Sequence, residues 1–476
     1  MERQTVLCAG RGAKKMKRGW RVAAALVLAF LLLLNSGCAS DPMWSEGAST
    51  DGSTNVSQPP EPTVSEPDGG STSVSQPSEP TVSGPDGGST SVSQPPEPAV
   101  SEPDGGSTDV SQPSEPSVPA RTRAEELIPY FSLRYYLGQL DEDLLHVVCD
   151  LYEAVMNFEE TVKFTAPISK TDYILLWELL RVECPELIQL DYGVSSKVTV
   201  NGAGNCVRHW IPYRFTEGAY WELRNACEAV IAEFSAATAG KSDYEKEKYV
   251  FDQIVSRNYY DKEAPYAGDA YGALVDGFAK CDGFSLAMKW AMESMGIQCL
   301  CIAGAPTTEE EGAAGHAWNV IRLDGTYYRL DLTDSVPVYG ENTYGFEDIR
   351  YFAFNISDAM AAAADERYAV YDWLTAFAPV PACDRSDQCY YALNGGLIPA
   401  NADAAALFAK RAEELLPDGG SFYVQFESRE DYERFKEKEM YKTSMNDILG
   451  GQQRRWRYRV MWHKQYNGLS VHVWFE

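Results

Sequence analysis

Cys281, His316 and Asp331 are the residues of this chain whose types and spacing could do covalent chemistry. A thiol, an imidazole and a carboxylate in that order can act as nucleophile, general base and the group that orients the base. Such a set attacks carbonyl carbon. Cys281 directly precedes a run in which Phe284, Met288, Ala291 and Met295 share one helical face, with Gly296 at its end. That spacing predicts Cys281 in a first helical turn, where free N–H groups and the helix dipole favour a thiolate. Ala317–Leu323 and Thr326–Leu332 read as two strands joined by Asp324-Gly325, a two-residue hairpin turn. With that turn Leu323 faces Thr326, and Trp318 faces Asp331. His316 then lies on the same face, diagonal to Asp331 and about 7–8 Å from it at Cα, within reach of a ring and a carboxylate. Asp334 would face away if the strand continued, and Asp324 belongs to the turn. Asp331 is therefore the expected orienter.

The surrounding residues add detail. The chain reads Tyr271-Gly-Ala-Leu274-Val-Asp-Gly277, then Cys281-Asp-Gly283-Phe284, then Gly315-His316-Ala317-Trp318-Asn319. It continues with Asp324-Gly325-Thr326-Tyr327-Tyr328-Arg329-Leu330-Asp331-Leu332-Thr333. These segments, spread over about 90 residues, resemble the bacterial transglutaminase-like superfamily, whose papain-type core carries Cys, His and Asp in this order. Phe278-Ala279 stands where Lys-Gly is common before the cysteine, and Asp334-Ser335 where Trp-Asp often follows the threonine. The resemblance implies Cys281 as nucleophile, His316 as base and then acid, and Asp331 as orienter. Substrate contacts at Tyr271 and Trp318 are expected beside them. Protein crosslinking, deamidation and peptide hydrolysis share one acyl-enzyme and differ only in what attacks it. All three stay open, as does a non-catalytic surface lipoprotein that uses the same fold to bind protein or polysaccharide.

Flanking elements must hold these groups. Helices are predicted over Asp141–Phe158, Thr171–Arg181, Gly218–Ala236 and Ser242–Asn258, with strands at Ser196–Val200 and Val207–Phe215. The C-terminal part reads as helix, strand (Phe422–Phe426), helix (Arg429–Lys438) and a hairpin turning at Asn467-Gly468. Arg455, Arg457 and Arg459 alternate with aromatics there, as expected of a solvated outer strand face. The predicted fold class is α+β: a papain-like transglutaminase core with a mostly helical N-terminal region and a small α+β C-terminal domain, after a disordered tether. The expected boundaries are 1–37 for a lipoprotein-type signal peptide, 38–119 for the tether, 120–240 for the N-terminal region, 241–375 for the core and 376–476 for the C-terminal domain.

The first 119 residues speak to location. Arg11, Lys14, Lys15, Lys17, Arg18 and Arg21 precede an apolar run, Val22–Leu34, and then Asn35-Ser36-Gly37-Cys38. The run suits a signal peptide better than a membrane-spanning helix. Cys38 sits where bacterial lipoproteins carry their lipid, although Asn35 replaces the usual leucine. The expected place is the outer side of the cell membrane or the cell wall, with membrane contact through that lipid. The VSQP unit then recurs at Val56, Val74, Val92 and Val110, every 18 residues, without an apolar face. Some 80 residues of this kind would span roughly 50 Å as a flexible coil.

A net charge of −28 excludes nucleic acid as a natural partner. Protein or peptide substrates, cell-wall peptides among them, suit the expected location. Of 11 cysteines, eight remain after Cys8, Cys38 and Cys281 are assigned, and Cys383 with Cys389 is the disulfide expected first. Cys299 and Cys301 alternate on a predicted strand and are expected to pack as small apolar groups. No cofactor or metal is implied: there is no CxxC pair, and Glu309-Glu310-Glu311 reads as a solvated loop.

Overall fold

The computed structural model describes residues 124–131, 134–164, 166–194, 197–307, 315–336, 350–363, 368–415, 420–440 and 456–475. The signal peptide, Cys38, the repeat tether and the Glu309–Glu311 loop lie outside them. Among the described residues no helix is long and apolar enough to cross a membrane.

The N-terminal region opens with helices α1 (Ala124–Phe131), α2 (Glu142–Met156), α3 (Lys170–Glu183) and α4 (Glu217–Ala237). Their starts follow from the sequence. Asp141, Ser169 and Thr216 each accept a hydrogen bond from the first-turn backbone of α2, α3 and α4. A small antiparallel sheet lies among them, with β4 (Asn205–Trp210) pairing β1 (Thr161–Val162), β2 (Ile168–Ser169) and β3 (Lys197–Val200).

Helix α5 (Asp243–Arg257) starts in a reciprocal capping box between Ser242 and Glu245. It leads through the short parallel pair β5 (Tyr259–Tyr260) and β6 (Phe278–Ala279) into α6, Cys281–Ser294. Against α6 packs an antiparallel sheet in the order β10-β7-β8-β9. Its strands are β7 (Cys299–Pro306), β8 (His316–Leu323), β9 (Thr326–Leu330) and β10 (Tyr368–Val370). The predicted register is present, with Leu323 opposite Thr326 and Asn319 opposite Leu330. Asp324 and Gly325 both take positive φ (48° and 84°), as a tight hairpin turn of this hand requires.

One apolar core runs from Leu127 through Tyr391, so α1–α3 and the sheet beside Cys281 share it. A second, smaller core, from Ile398 to Val473, belongs to a sheet ordered β11-β12-β14-β13 and to helix Ala404–Leu415. Its strands are β11 (Leu397–Ile398), β12 (Gly420–Phe426), β13 (Trp456–His463) and β14 (Gly468–Phe475). Here two expectations change. The last hairpin does not turn on Asn467-Gly468 alone. His463 pairs with Gly468, so Lys464–Asn467 form the loop, and only Asn467 takes the left-handed conformation. Cys383 and Cys389 are free thiols, both fully buried rather than in a polar loop. The Cys389 thiol instead faces Gln425 Oε1 at 3.6 Å.

Candidate active site

Cys281 is the first residue of α6, after an extended Lys280 whose side chain makes no cap. The helix start is pressed onto the backbone of the preceding turn. A Cβ on Gly283 would come within 2.3 Å of the Ala267 carbonyl oxygen and 2.9 Å of that of Asp269. Only glycine fits there, which gives the Cys-x-Gly spacing a steric cause.

His316 begins β8, and its Nε2 lies 2.7 Å from Asp331 Oδ2. Cys281 lies beside the same ring, close enough for each group to bear on the other's protonation. Behind the ring, Trp318 stacks at 6.0 Å between centroids, and Tyr368 lies at 4.7 Å. Trp318 was expected to touch substrate, but it is only 3% exposed. One face is covered by the Arg329 guanidinium at 4.5 Å, and a Cβ on Gly304 would press to 2.9 Å from its ring. It supports His316 rather than lining a cleft. Tyr271 is half-buried and packs edge-on to Tyr266 at 4.9 Å.

Asp331 follows β9, which ends two residues earlier than predicted, at Leu330. The segment Tyr351–Ile356 replaces the missing strand. Its Ala353 carbonyl accepts the Asp331 N–H at 3.0 Å, and Arg329 and Ile356 exchange a pair of backbone bonds. Because the chain turns after Leu332, Asp334 does not face away. It sits in a short turn, Thr333–Ser335, where Gln465 donates to its Oδ2 at 2.6 Å.

The electrostatics follow from these contacts. Burial alone would depress His316, but the Asp331 carboxylate and Cys281 outweigh it and hold the ring well above the ordinary imidazole range. Burial alone would raise Asp331, but His316 and the Thr333 N–H, at 2.9 Å, hold it below its usual value. Asp334 is pushed up by burial and by the Asp331 charge. Burial and then Asp282 push the Cys281 thiol up, against the pull of His316. This departs from the thiolate expected of a helix start, first because the thiol is buried and then because a carboxylate lies beside it. Asp282 Oδ1 accepts the thiol proton at 3.3 Å.

The sequence reading gave Asn319 no role. It is fully buried, and its Nδ2 donates to Ser285 O at 2.9 Å and Leu300 O at 3.1 Å. It ties the helix carrying Cys281 to the strand carrying His316. Its place in Gly-His-Ala-Trp-Asn was the available signal. Neither Arg181 nor Gln465 had one, because both reach the site from far along the chain.

The family model described as "Transglutaminase-like superfamily" matches residues 232–332, which contain all three candidate residues. No curated protein matches the chain. Among solved structures, one described as a TGase shares 15% identity over 39% of this chain and 53% of its own, with a TM-score of 0.22. A candidate cysteine protease from Cytophaga hutchinsonii shares 13% identity over 30% of this chain and 63% of its own, with a TM-score of 0.20. A candidate protease from Parabacteroides distasonis shares 14% identity over 30% of this chain and 40% of its own, with a TM-score of 0.17. The chain thus spans less than two thirds of each of these structures. Residues 232–332 of this α+β chain form a transglutaminase-like superfamily domain.

Proposed function

We propose that the chain is a thiol enzyme of acyl-transfer type that acts on amide bonds of protein or peptide substrates through Cys281, His316 and Asp331. The observation that carries this reading is the 2.7 Å contact of His316 with Asp331, made by an imidazole that also bears on the Cys281 thiol. His316 takes the thiol proton as the Cys281 sulfur attacks the amide carbonyl carbon, a C–S bond forms, and the C–N bond breaks. His316 gives its proton to the departing amine, then takes one from the amine or water that releases the acyl group. The Cys281 backbone N–H, at the helix start, is the first donor to the oxyanion. The basic and apolar start of the sequence and its Cys38 support export and a lipid anchor in the membrane. The repeats after it support a tether that lets the domain reach cell-wall peptides or surface proteins.

The test is to incubate the full chain, purified in detergent, with glutamine-containing peptides, with and without a primary amine, and to trap the acyl-enzyme for mass mapping. Acylation mapped to Cys281 and lost in Cys281→Ala and His316→Ala is the expected result. Amine incorporation would identify transfer, ammonia release without amine incorporation would identify deamidation, and a shortened peptide would identify proteolysis. Turnover that persists in Cys281→Ala would sink the reading.

A further inference from the structure

The carboxylate beside the candidate nucleophile is gripped by a cation from the N-terminal region. Asp282 Oδ1 accepts from the Cys281 thiol at 3.3 Å. Its Oδ2 meets Arg181 Nη2 at 2.9 Å and Lys280 Nζ at 3.3 Å. Arg181 lies in the last turn of α3, 101 residues before Asp282 and outside the segment matched by the family model. A bare carboxylate in that place would hold the proton on sulfur, because it accepts the S–H and repels the thiolate. Two cations on its far oxygen oppose both effects.

We propose that Arg181 is a positioning residue for the nucleophile: by neutralising Asp282 and turning its Oδ2 away from the sulfur, it sets the pH at which Cys281 becomes reactive. The proposal rests on the thiol-enzyme reading above. Stability is not where Arg181 should matter most. Its side chain is 44% exposed and that of Asp282 22%, and partly exposed pairs of this kind contribute little to folding. Glu178, three residues before it on α3, and Asp269 also bear on Arg181. Asp269 has its own partner, Arg214, at 2.6 Å. Tyr371 and Cys301, which also face the pair, are pushed up by burial and stay neutral. His316 acts on the sulfur from the opposite strand, and Lys280 makes the longer of the two contacts with Asp282.

The experiment is the rate of iodoacetamide alkylation of Cys281 in the full chain between about pH 5 and pH 9, with the label located by peptide mapping. The midpoint belongs to the Cys281–His316 pair rather than to either group alone. Arg181→Gln is expected to raise it by about one unit, which slows alkylation on the acid side about tenfold. Arg181→Lys should keep most of the wild-type profile. Asp282→Asn should move the midpoint down, and adding it to Arg181→Gln should restore the profile to wild type or below. A merely structural Arg181 would change the melting temperature and leave the midpoint in place. An unmoved midpoint in folded Arg181→Gln, with wild-type alkylation still dependent on His316, overturns the proposal alone. Alkylation that ignores His316 overturns the thiol-enzyme reading beneath it. If Arg181→Gln does not fold, Asp282→Asn decides: no downward shift overturns the proposal.

Discussion

His316 Nε2 and Asp331 Oδ2 stand 2.7 Å apart although Asp331 lies one residue past the last β8–β9 pair, Asn319 with Leu330. Removing the charge without the shape tests this arrangement. Asp331→Asn should lower kcat by about 10²–10⁴, as expected when an orienting carboxylate is lost. The His316 pKa, followed by NMR titration, should fall toward its ordinary value, since Asp331 is the main group holding it up. An unchanged titration would remove Asp331 from the role of orienter.

Asn319 is a tie between helix and strand. Asn319→Leu leaves the Ser285 and Leu300 carbonyls without this donor, at about 1–3 kcal/mol for each group left unpaired. Chemical denaturation should register that loss. The Cys281-to-His316 geometry should loosen with it, so kcat should fall more than KM rises.

Lys289 is completely buried between Glu293, at 2.6 Å, and Glu183, at 3.3 Å. Its partners belong to α6 and to α3, so the ion pairs join the N-terminal region to the helix that carries Cys281. Lys289→Met should destabilise the fold at neutral pH by about 3–5 kcal/mol, because it strands buried carboxylates. Adding Glu183→Met should recover part of that loss, as measured by urea unfolding.

Glu247 is fully buried with Asn355 Nδ2 at 2.8 Å, and burial pushes its carboxyl up to about 8 from an ordinary 4.5. The folded state therefore binds a proton that the unfolded chain releases. This contribution is fully present below pH 4.5 and is lost as pH rises toward 8. Glu247→Gln stays neutral throughout. Its melting temperature should gain on wild type steadily between those two pH values, and a constant offset would refute the assignment.

Much of the candidate site was legible because its parts are local. The Asp324-Gly325 turn and two-residue alternation set the register of His316 against Asp331 within 16 residues of chain. The apolar spacing after Cys281 and its closing Gly296, with φ of 79°, set the helix. What escaped was non-local or depended on where a strand stops. The side on which Asp334 lies hung on whether the strand continued, and it stops at Leu330, where Tyr351–Ile356 takes over. Asp282 sat in plain view, but its effect on the thiol depends on rotamer and on Arg181 from another region. Cys383 and Cys389 looked like loop cysteines because polar neighbours, Asp384 to Gln388, hide the fact that both side chains point into the core.

The contact of Gln465 with Asp334 crosses 131 residues of chain. Beside it, Gly468 is pressed so closely to Phe352 that a Cβ would lie 2.5 Å from the ring. Both join the final hairpin to the carboxylate end of the site. A ribosome delivers the chain from its N-terminus, so Cys281, His316 and Asp331 emerge well before this buttress does. During that interval the polypeptide carries every reactive group but not the brace behind them. A chain cut short before Gln465 would leave Asp334 without this support.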